Sequence, residues 1–307
     1  MRPAAGGGGS VFRGACIGLT WLWLAAFALV PAFALMLVSL LDRGDGEFFI
    51  PVLTLDNYRE LLGPVFLTVF WDSVRLAALS TLVCLAVGYP FAYRIAKSAA
   101  KWRPWLLLLV IIPFWTNSLI RTYALILIIG VQGMVNKALM ALGLLSAPLE
   151  LMYTDFAVFV GLTYTLLPFM VLPLYASIEK LDPSLADAAK DLGAGSLRTF
   201  WNITLPLTLP GIVAGCILVF LPSLGCFYVP EILGGAKNML LGTFIKNQFL
   251  VANNWPLGAA ASFVLTLMLV IMAGLYRLSS LRVAGRERKG PAGAPSPRAV
   301  VPAAGGK

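Results

Sequence analysis

Six long apolar blocks constrain the fold of this 307-residue chain more than any other feature of its sequence. Each block holds the roughly 20 mostly apolar residues that an α-helix needs to cross about 30 Å of hydrocarbon. Hydrophobic residues make up 59% of the chain, against roughly 45–50% in soluble domains, so lipid is the expected solvent. We therefore predict an all-α integral membrane protein with six transmembrane helices, at residues 17–41, 73–93, 104–129, 155–178, 205–229 and 257–276.

The distribution of basic residues sets the predicted orientation. Of the 23 Lys and Arg residues, 16 fall in the two terminal arms and in the loops after the second and fourth blocks, and 7 fall elsewhere. Cytoplasmic loops carry such an excess of positive charge, so we expect a bacterial inner-membrane protein with both termini in the cytoplasm. The net charge of +9 is thereby explained by topology, and the sequence lacks the interleaved aromatic and basic residues of a nucleic-acid-binding face.

The blocks and loops divide the chain into five predicted parts. A disordered cytoplasmic arm (1–16) precedes the first transmembrane helix (17–41), and a periplasmic loop (42–72) follows it. The core transmembrane domain covers 73–278 and contains a long cytoplasmic loop over 179–206, and a disordered cytoplasmic tail spans 279–307. The first block also resembles a cleaved signal peptide around residues 32–34, but its length exceeds the roughly 7–15-residue core of such peptides and favours a retained helix.

The residue inventory argues against catalysis and against a metal site in this chain. Histidine is absent, which removes the commonest general base and a common metal ligand. The four cysteines form no CxxC pair, and we predict that they are small buried apolar residues. No Gly-x4-Gly-Lys-Ser/Thr loop occurs, so we expect any ATPase that drives this protein to be a separate polypeptide.

The loop between the fourth and fifth blocks predicts a capped amphipathic helix. Asp182 is placed to cap it, and Pro183 stands at the first helical position, where its missing N–H costs nothing. Four apolar residues then recur with the spacing i, i+3, i+4, i+7 and predict one apolar face: Leu185, Ala188, Ala189 and Leu192. Amphipathicity alone leaves two alternatives open, namely a docking surface for a partner and a helix that rests on lipid headgroups.

Small residues predict where this helix ends. Gly193 and Gly195 permit the left-handed turn that terminates a helix, and Ser196 can cap a second helix leading into the fifth block. The loop also contains a spaced pattern that ends in a proline: Asp187-Ala188-Ala189, three residues, Gly193, nine residues, then Ile203-x-Leu205-Pro206.

This pattern resembles the EAA loop of type I ABC importer permeases, with Asp187 where the family usually has glutamate. The resemblance implies that the loop forms the coupling helix, which sits in a groove of an ATP-binding subunit and transmits its closure to the membrane. The residues it assigns to coupling are Leu185, Asp187, Ala188, Ala189, Leu192 and Gly193. The implied partners are a dimer of ATP-binding subunits, which holds ATP and Mg²⁺, a second homologous permease, a periplasmic substrate-binding protein and membrane lipid. No cofactor is implied in this chain.

The resemblance extends over residues 58–277 and is strongest to the first permease of spermidine/putrescine importers. The segments that carry it are 113–123 and 223–235. It implies a polyamine as the substrate, although permeases for iron, phosphonates, thiamine or opines are similar in the same segments and stay as alternatives.

Polar and aromatic residues near the predicted pathway are candidates for substrate contact. Glu231 and Asp155 carry carboxylates at the predicted outer ends of the fifth and fourth blocks, where each is either a pathway residue or an ordinary loop or cap residue. Three aromatic side chains offer cation–π surfaces, or belong to interfacial belts: Trp115, Tyr123 and Tyr228. Arg121 is interpreted as a residue near the outer surface that snorkels or fixes a helix.

Two other classes of function fit the sequence less well. An ATP-independent carrier predicts inverted repeats with interrupted helices, and the sequence shows no convincing internal repeat. A membrane-embedded enzyme requires a nucleophile paired with a base, which this chain does not offer.

Overall fold

A computed structural model describes residues 8–44, 48–235 and 239–288 of the chain. This described part consists of helices, one short hairpin and two π-helical turns, at Phe200–Thr204 and Pro230–Gly234. The α-helices are α1 (Gly8–Ser39), α2 (Asp56–Leu61), α3 (Pro64–Lys97), α4 (Arg103–Trp115), α5 (Ser118–Ile129), α6 (Met134–Ala141), α7 (Asp155–Glu179), α8 (Pro183–Asp191), α9 (Ser196–Thr199), α10 (Leu205–Gly225), α11 (Leu241–Leu250) and α12 (Trp255–Arg288). The strands β1 (Leu41–Asp42) and β2 (Ile50–Leu53) pair antiparallel.

Six stretches of the described residues are long and apolar enough to cross a membrane, which confirms the predicted all-α membrane fold. They are Phe12–Ser39, Pro64–Lys97, Ser118–Ala141, Asp155–Glu179, Ser196–Gly225 and Trp255–Gly274.

Several helices extend beyond the predicted boundaries. Residues 8–16, predicted as part of a disordered arm, belong to α1, while residues 1–7 lie outside the described part. Residues 64–72, predicted as loop, form the start of α3, because Pro64 at the first helical position initiates the helix before the apolar block begins. Helix α12 continues to residue 288 and so includes the first part of the predicted tail, and residues 289–307 lie outside the described part.

The third predicted span is two helices rather than one. Helix α4 ends at Trp115, and α5 begins at Ser118. Thr116 and Asn117 between them have extended backbone, and the Asn117 side chain caps α5 by accepting a hydrogen bond from the Leu119 N–H at 2.8 Å. At about 1.5 Å per residue, neither α4 nor α5 alone spans the roughly 30 Å hydrocarbon core. The apolar stretch that is long enough joins α5 to α6, over Ser118–Ala141, and leaves α4 as a shorter apolar helix.

Helices α3, α7 and α10 pack against one another and form the main core. Two glycines of α10 allow the close approach to α7. A Cβ added at Gly211 would lie 2.4 Å from the Ser177 Cβ and 2.9 Å from the Pro173 carbonyl oxygen. A Cβ added at Gly215 would lie 2.7 Å from the Met170 sulfur. Small residues at such positions are the usual device for close helix packing in lipid.

A second, smaller apolar cluster joins α2, the start of α3, α11 and the start of α12. Ser73 on α3 connects it to the main core, because its hydroxyl accepts a hydrogen bond from the Leu241 N–H at 2.7 Å. Helix α1 packs on α12, at the periphery of the bundle. Two ends of the molecule are distinguished by name. The α8 end contains α8 and α9, and the hairpin end contains the β1–β2 hairpin, α2 and α11.

Candidate functional site

Helix α8 begins as the sequence predicts. The Asp182 Oδ1 accepts a hydrogen bond from the Ser184 N–H at 2.9 Å, and Pro183 occupies the first helical position. That backbone hydrogen bond lowers the pKa of the Asp182 carboxyl, because it favours the charged form.

Only part of the predicted helix end is confirmed. Gly193 is left-handed, with φ +79°, and its N–H donates to the Lys190 carbonyl at 2.8 Å. Gly195 instead has extended backbone (φ −66°) and is itself the residue that precedes α9. The predicted cap at Ser196 is wrong, because Ser196 is the first helical residue and no side chain caps α9.

The apolar face of α8 is divided between two surroundings. Ala189 is buried against the bundle, whereas Leu185, Ala188 and Leu192 are exposed, Leu192 to 89%. Ala189 thus packs on the rest of the chain, whereas Leu185 and Ala188 of the helix and Leu192, the residue that ends it, present apolar side chains outward. Asp187 does not point to a distant group, since its carboxylate accepts a hydrogen bond from the Lys190 ammonium at 2.9 Å. This hydrogen bond lowers the pKa of Asp187 and raises that of Lys190.

A small polar network connects the base of α7 to the α3–α4 loop beside α8. The Glu179 carboxylate accepts a hydrogen bond from the Tyr175 hydroxyl at 2.6 Å and lies 3.5 Å from the Arg103 guanidinium. The Arg103 Nε also donates to the Ser98 carbonyl at 2.9 Å. A cavity of about 420 Å³ lies among this network, α8 and the π-helical turn at Phe200–Thr204.

A second cavity, of about 480 Å³, lies where the α4–α5 break faces α7 and the end of α10. Phe114 contacts Phe169 of α7 edge to face, with the ring centroids 4.8 Å apart, which places the break beside the middle third of α7. Four aromatic rings line this cavity: Phe114, Phe169, Phe227 and Tyr228. Polar groups reach it from Ser118, Arg121 and Thr165.

The predicted pathway residues are dispersed in the structure. Tyr228 lines the 480 Å³ cavity, whereas Trp115 and Tyr123 are exposed on the surface of this chain. Glu231 forms an ion pair with Lys246 of α11. Asp155 opens α7 directly after Thr154, which is the capping residue, and lines a separate cavity at the hairpin end. Their assignment to substrate contact stays a prediction.

Arg121 is the residue whose surroundings the sequence did not reveal. It lines the 480 Å³ cavity beside the middle of α7, not the outer surface as interpreted from the sequence. Its position depends on the helix break four residues earlier, and a continuous third span would have carried it outward. The Asn-Ser pair at 117–118 after Pro113 was the available signal, because it is a cap sequence inside an apolar block.

Among the residues that the structure describes, no group of three or more Cys, Asp or Glu side chains is arranged to hold a metal ion. Cys84 is buried and Cys216 and Cys226 are half-buried, but Cys16 is exposed on α1 and departs from the prediction of four buried cysteines.

Comparison with known proteins decides the family. The model of the binding-protein-dependent transport system inner membrane component matches residues 18–285. The chain belongs to this family. The permease is also 46% identical over 265 residues to the spermidine/putrescine transport system permease protein PotB of Haemophilus influenzae, covering 86% of the chain and 93% of that protein. It is 50% identical over 254 residues to PotB of Escherichia coli K12, covering 83% and 92%.

Solved structures agree on the fold. A chain from a bacterial ABC transporter involved in alginate import superposes with a TM-score of 0.71, covering 89% of this permease and 96% of that chain at 18% identity. This likeness concerns the fold of the membrane helices. The permease is therefore a multi-pass inner-membrane subunit of an importer, as the loop pattern predicted.

Proposed function

We propose that this permease is the first membrane subunit of an ATP-driven importer of polyamines such as spermidine and putrescine. The observation that carries the proposal is the 50% identity over 83% of the chain to a spermidine/putrescine permease. More distant members of the family have other substrates in their names, such as the molybdenum transport permease of Mycobacterium bovis at 29% identity. The identity thus favours polyamines over iron, phosphonates, thiamine and opines.

The proposed assembly contains this permease, a second homologous permease, two ATP-binding subunits and a periplasmic binding protein. The ATP-binding subunits hold ATP and Mg²⁺, and this chain carries no catalytic residue. The α8 end faces the cytoplasm together with both termini, because the loops at that end carry the excess of basic residues. The hairpin end faces the periplasm and receives the substrate.

Helix α8 is the proposed contact with an ATP-binding subunit. Its exposed Leu185, Ala188 and Leu192 provide an apolar surface, and Ala189 fixes its inner side to the permease. Leu192 is 89% exposed, so its apolar side chain gains little from burial against the described residues of its own chain. Burial in a partner's groove would remove it from water.

Displacement of α8 reaches the membrane through two connections. Helix α8 follows α7 after three residues, and the Glu179–Arg103 pair ties the base of α7 to the start of α4. The 420 Å³ cavity beside α8 leaves room for the helix to shift. When the ATP-binding dimer closes, the pull on α8 moves α4 relative to α5 at the extended residues 116–117 and changes access to the 480 Å³ cavity.

Transport-linked ATPase activity tests this proposal. The permease is co-purified with its neighbouring permease, ATPase and binding protein, placed in lipid, and assayed with and without spermidine or putrescine. Leu192→Asp places a charge on the exposed face of α8 without disturbing a buried contact. The matched control is Leu144→Asp, which alters a leucine of 68% exposure after α6.

Polyamine stimulation of at least several-fold in the wild type, lost in Leu192→Asp and kept in Leu144→Asp, supports both the substrate and the coupling role. Stimulation by another solute with the same dependence on Leu192 overturns the polyamine assignment and keeps the importer. Full stimulation in Leu192→Asp contradicts the docking role of α8.

A further inference from the structure

The 480 Å³ cavity is lined by one cation among the described residues, the guanidinium of Arg121. The Nε and Nη1 atoms of Arg121 are buried, and neither has a partner among the described residues. The other polar groups that line the cavity are hydroxyls and the Cys226 thiol, and none of the described residues lining it carries a carboxylate. An intramembrane arginine that serves to fix helices is ordinarily paired, so this arrangement calls for another explanation.

The guanidinium is held by an aromatic ring instead. The Arg121 Cζ lies 5.6 Å from the centroid of Phe114, within the range of a cation–π interaction. Phe169 meets Phe114 edge to face, and Phe227 and Tyr228 form a second aromatic pair with ring centroids 6.1 Å apart. Rings that present their faces in a cavity attract organic cations, which is the chemistry of an ammonium substrate.

The cavity lies beside the middle of α7. It is bounded by the break between α4 and α5 on one side and by the middle of α7 and the end of α10 on the other. The break is the joint that the proposed mechanism moves. A fixed positive charge at this level opposes the passage of any other cation, since a low-dielectric environment strengthens the repulsion.

We infer that Arg121 is a tethered cation that occupies the aromatic cavity in the resting permease and acts as a charge barrier against cation leak. The inference rests on the proposed polyamine function, because a barrier of this sign matters only where the substrate is a cation. Movement at residues 116–117 shifts α5, and with it Arg121, away from Phe114 and leaves the rings to the substrate ammonium. Arg121 is thus a selectivity residue of the closed state and not a binding residue for substrate.

Passive leak through the complete transporter tests this assignment. The complex is reconstituted in liposomes without ATP or binding protein, and the permeabilities to rubidium, putrescine and chloride ions are measured. Arg121→Met and Arg121→Gln remove the charge with little change in side-chain length, and Arg121→Lys keeps it. Lys137→Met removes an exposed positive charge on α6 and serves as the matched control. Substrate-stimulated ATPase activity shows which variants assemble.

We expect the rubidium and putrescine leak to rise on the order of ten- to a hundredfold in the two neutral variants, with no rise in the chloride leak, because a positive charge repels cations only. Arg121→Lys and Lys137→Met are expected to stay near the wild-type leak. Unchanged cation leak in either assembled neutral variant overturns the inference. The inference is also overturned if Arg121→Lys leaks cations as much as the neutral variants do. It is overturned as well if the chloride leak rises as much as the cation leak, because the barrier would then be steric.

ATP-driven uptake by the wild type is measured in the same liposomes. If that uptake is specific for a solute other than a polyamine, the proposed function fails. The charge dependence of the rubidium leak still decides the role of Arg121, so the two failures are distinguishable.

Discussion

Helix α7 and the α4–α5 pair cross the same layer of the molecule and are built in opposite ways. Helix α7 runs unbroken from Asp155 to Glu179 despite two internal prolines, with Met170 and Leu174 fully buried. Helix α4 has no buried residue, and α5 starts afresh after two extended residues. The packing of α7 against α3 and α10 compensates for the backbone hydrogen bonds its prolines remove, whereas α4 lacks such packing.

This difference assigns separate tasks to the two regions. A helix clamped on both sides transmits a displacement as a rigid body, and a helix with a joint and few buried contacts changes its angle at low cost. Both regions meet at the α8 end through the Glu179–Arg103 pair and at mid-depth through Phe114 and Phe169. We therefore describe α3, α7 and α10 as a frame and α4–α5 as a jointed wall that bounds the cavity.

The largest effect is expected where the frame is tightest. Gly211→Ala introduces a Cβ only 2.4 Å from the Ser177 Cβ and 2.9 Å from a backbone carbonyl of α7. The two helices must separate, so we expect a loss of about 1–3 kcal/mol in the free energy of unfolding, measured by thermal unfolding in detergent. Gly18→Ala in α1, where nothing lies within 4 Å, is the control and should be neutral or slightly stabilising, because Ala favours a helix over Gly. Equal stability of the two variants would remove the distinction between a clamped frame and its periphery.

A smaller effect is expected where α8 is joined to the frame. Gly193 is left-handed, with no atom within 4 Å of an added Cβ, so Gly193→Ala costs only the backbone strain of about 1–2 kcal/mol. The strain falls on the turn that ends α8, and we expect polyamine-stimulated ATPase activity to drop several-fold. Gly143→Ala is a close match, since Gly143 has φ +72°, equally open space and no connection to α8. A similar drop in both variants would mean that strain alone, not its place, lowers coupling.

The joint itself is tested through its cap. Asn117→Ala removes the hydrogen bond to the Leu119 N–H and should weaken the start of α5 by about 1 kcal/mol. Hydrogen exchange should accelerate about fivefold at the Leu119 and Arg121 amides, which donate to the side chain and the carbonyl of Asn117, with α7 unaffected. Asn117→Ser keeps a capping oxygen and should restore most of the protection. Faster exchange that spreads equally into α7 would show that frame and wall are not separate units.

The sequence predicted the frame better than the wall, for a physical reason. Long apolar blocks reveal helices whose length matches the bilayer, and the cap and spacing around Asp182 revealed α8 because those signals are local. The break at 116–117 was hidden, since α4 and α5 together have the apolar length of one span.

Side-chain partners were also beyond the sequence. The pairing of Glu231 with Lys246 joins residues 15 positions apart through a π-helical turn and α11. The position of Arg121 over Phe114 depends on the angle at the break. Both are tertiary facts, set by how elements fold back on one another, and composition or periodicity contains no record of them.

The smallest expected effect concerns two ion pairs at the hairpin end. Lys246→Gln breaks the pair with Glu231, in which the lysine side chain is 22% exposed, and Arg59→Gln breaks the pair with Asp56, in which both side chains are more than 70% exposed. We expect about 0.5–1 kcal/mol of destabilisation for the first change and less than about 0.5 kcal/mol for the second, because solvent screens the exposed pair. Added salt should shrink both differences. The Lys246 variant also frees the Glu231 carboxylate. A lower half-saturating polyamine concentration in that variant alone would support the prediction that Glu231 contacts the substrate. An unchanged value would leave this pair as a tie between α11 and the turn that borders the jointed wall.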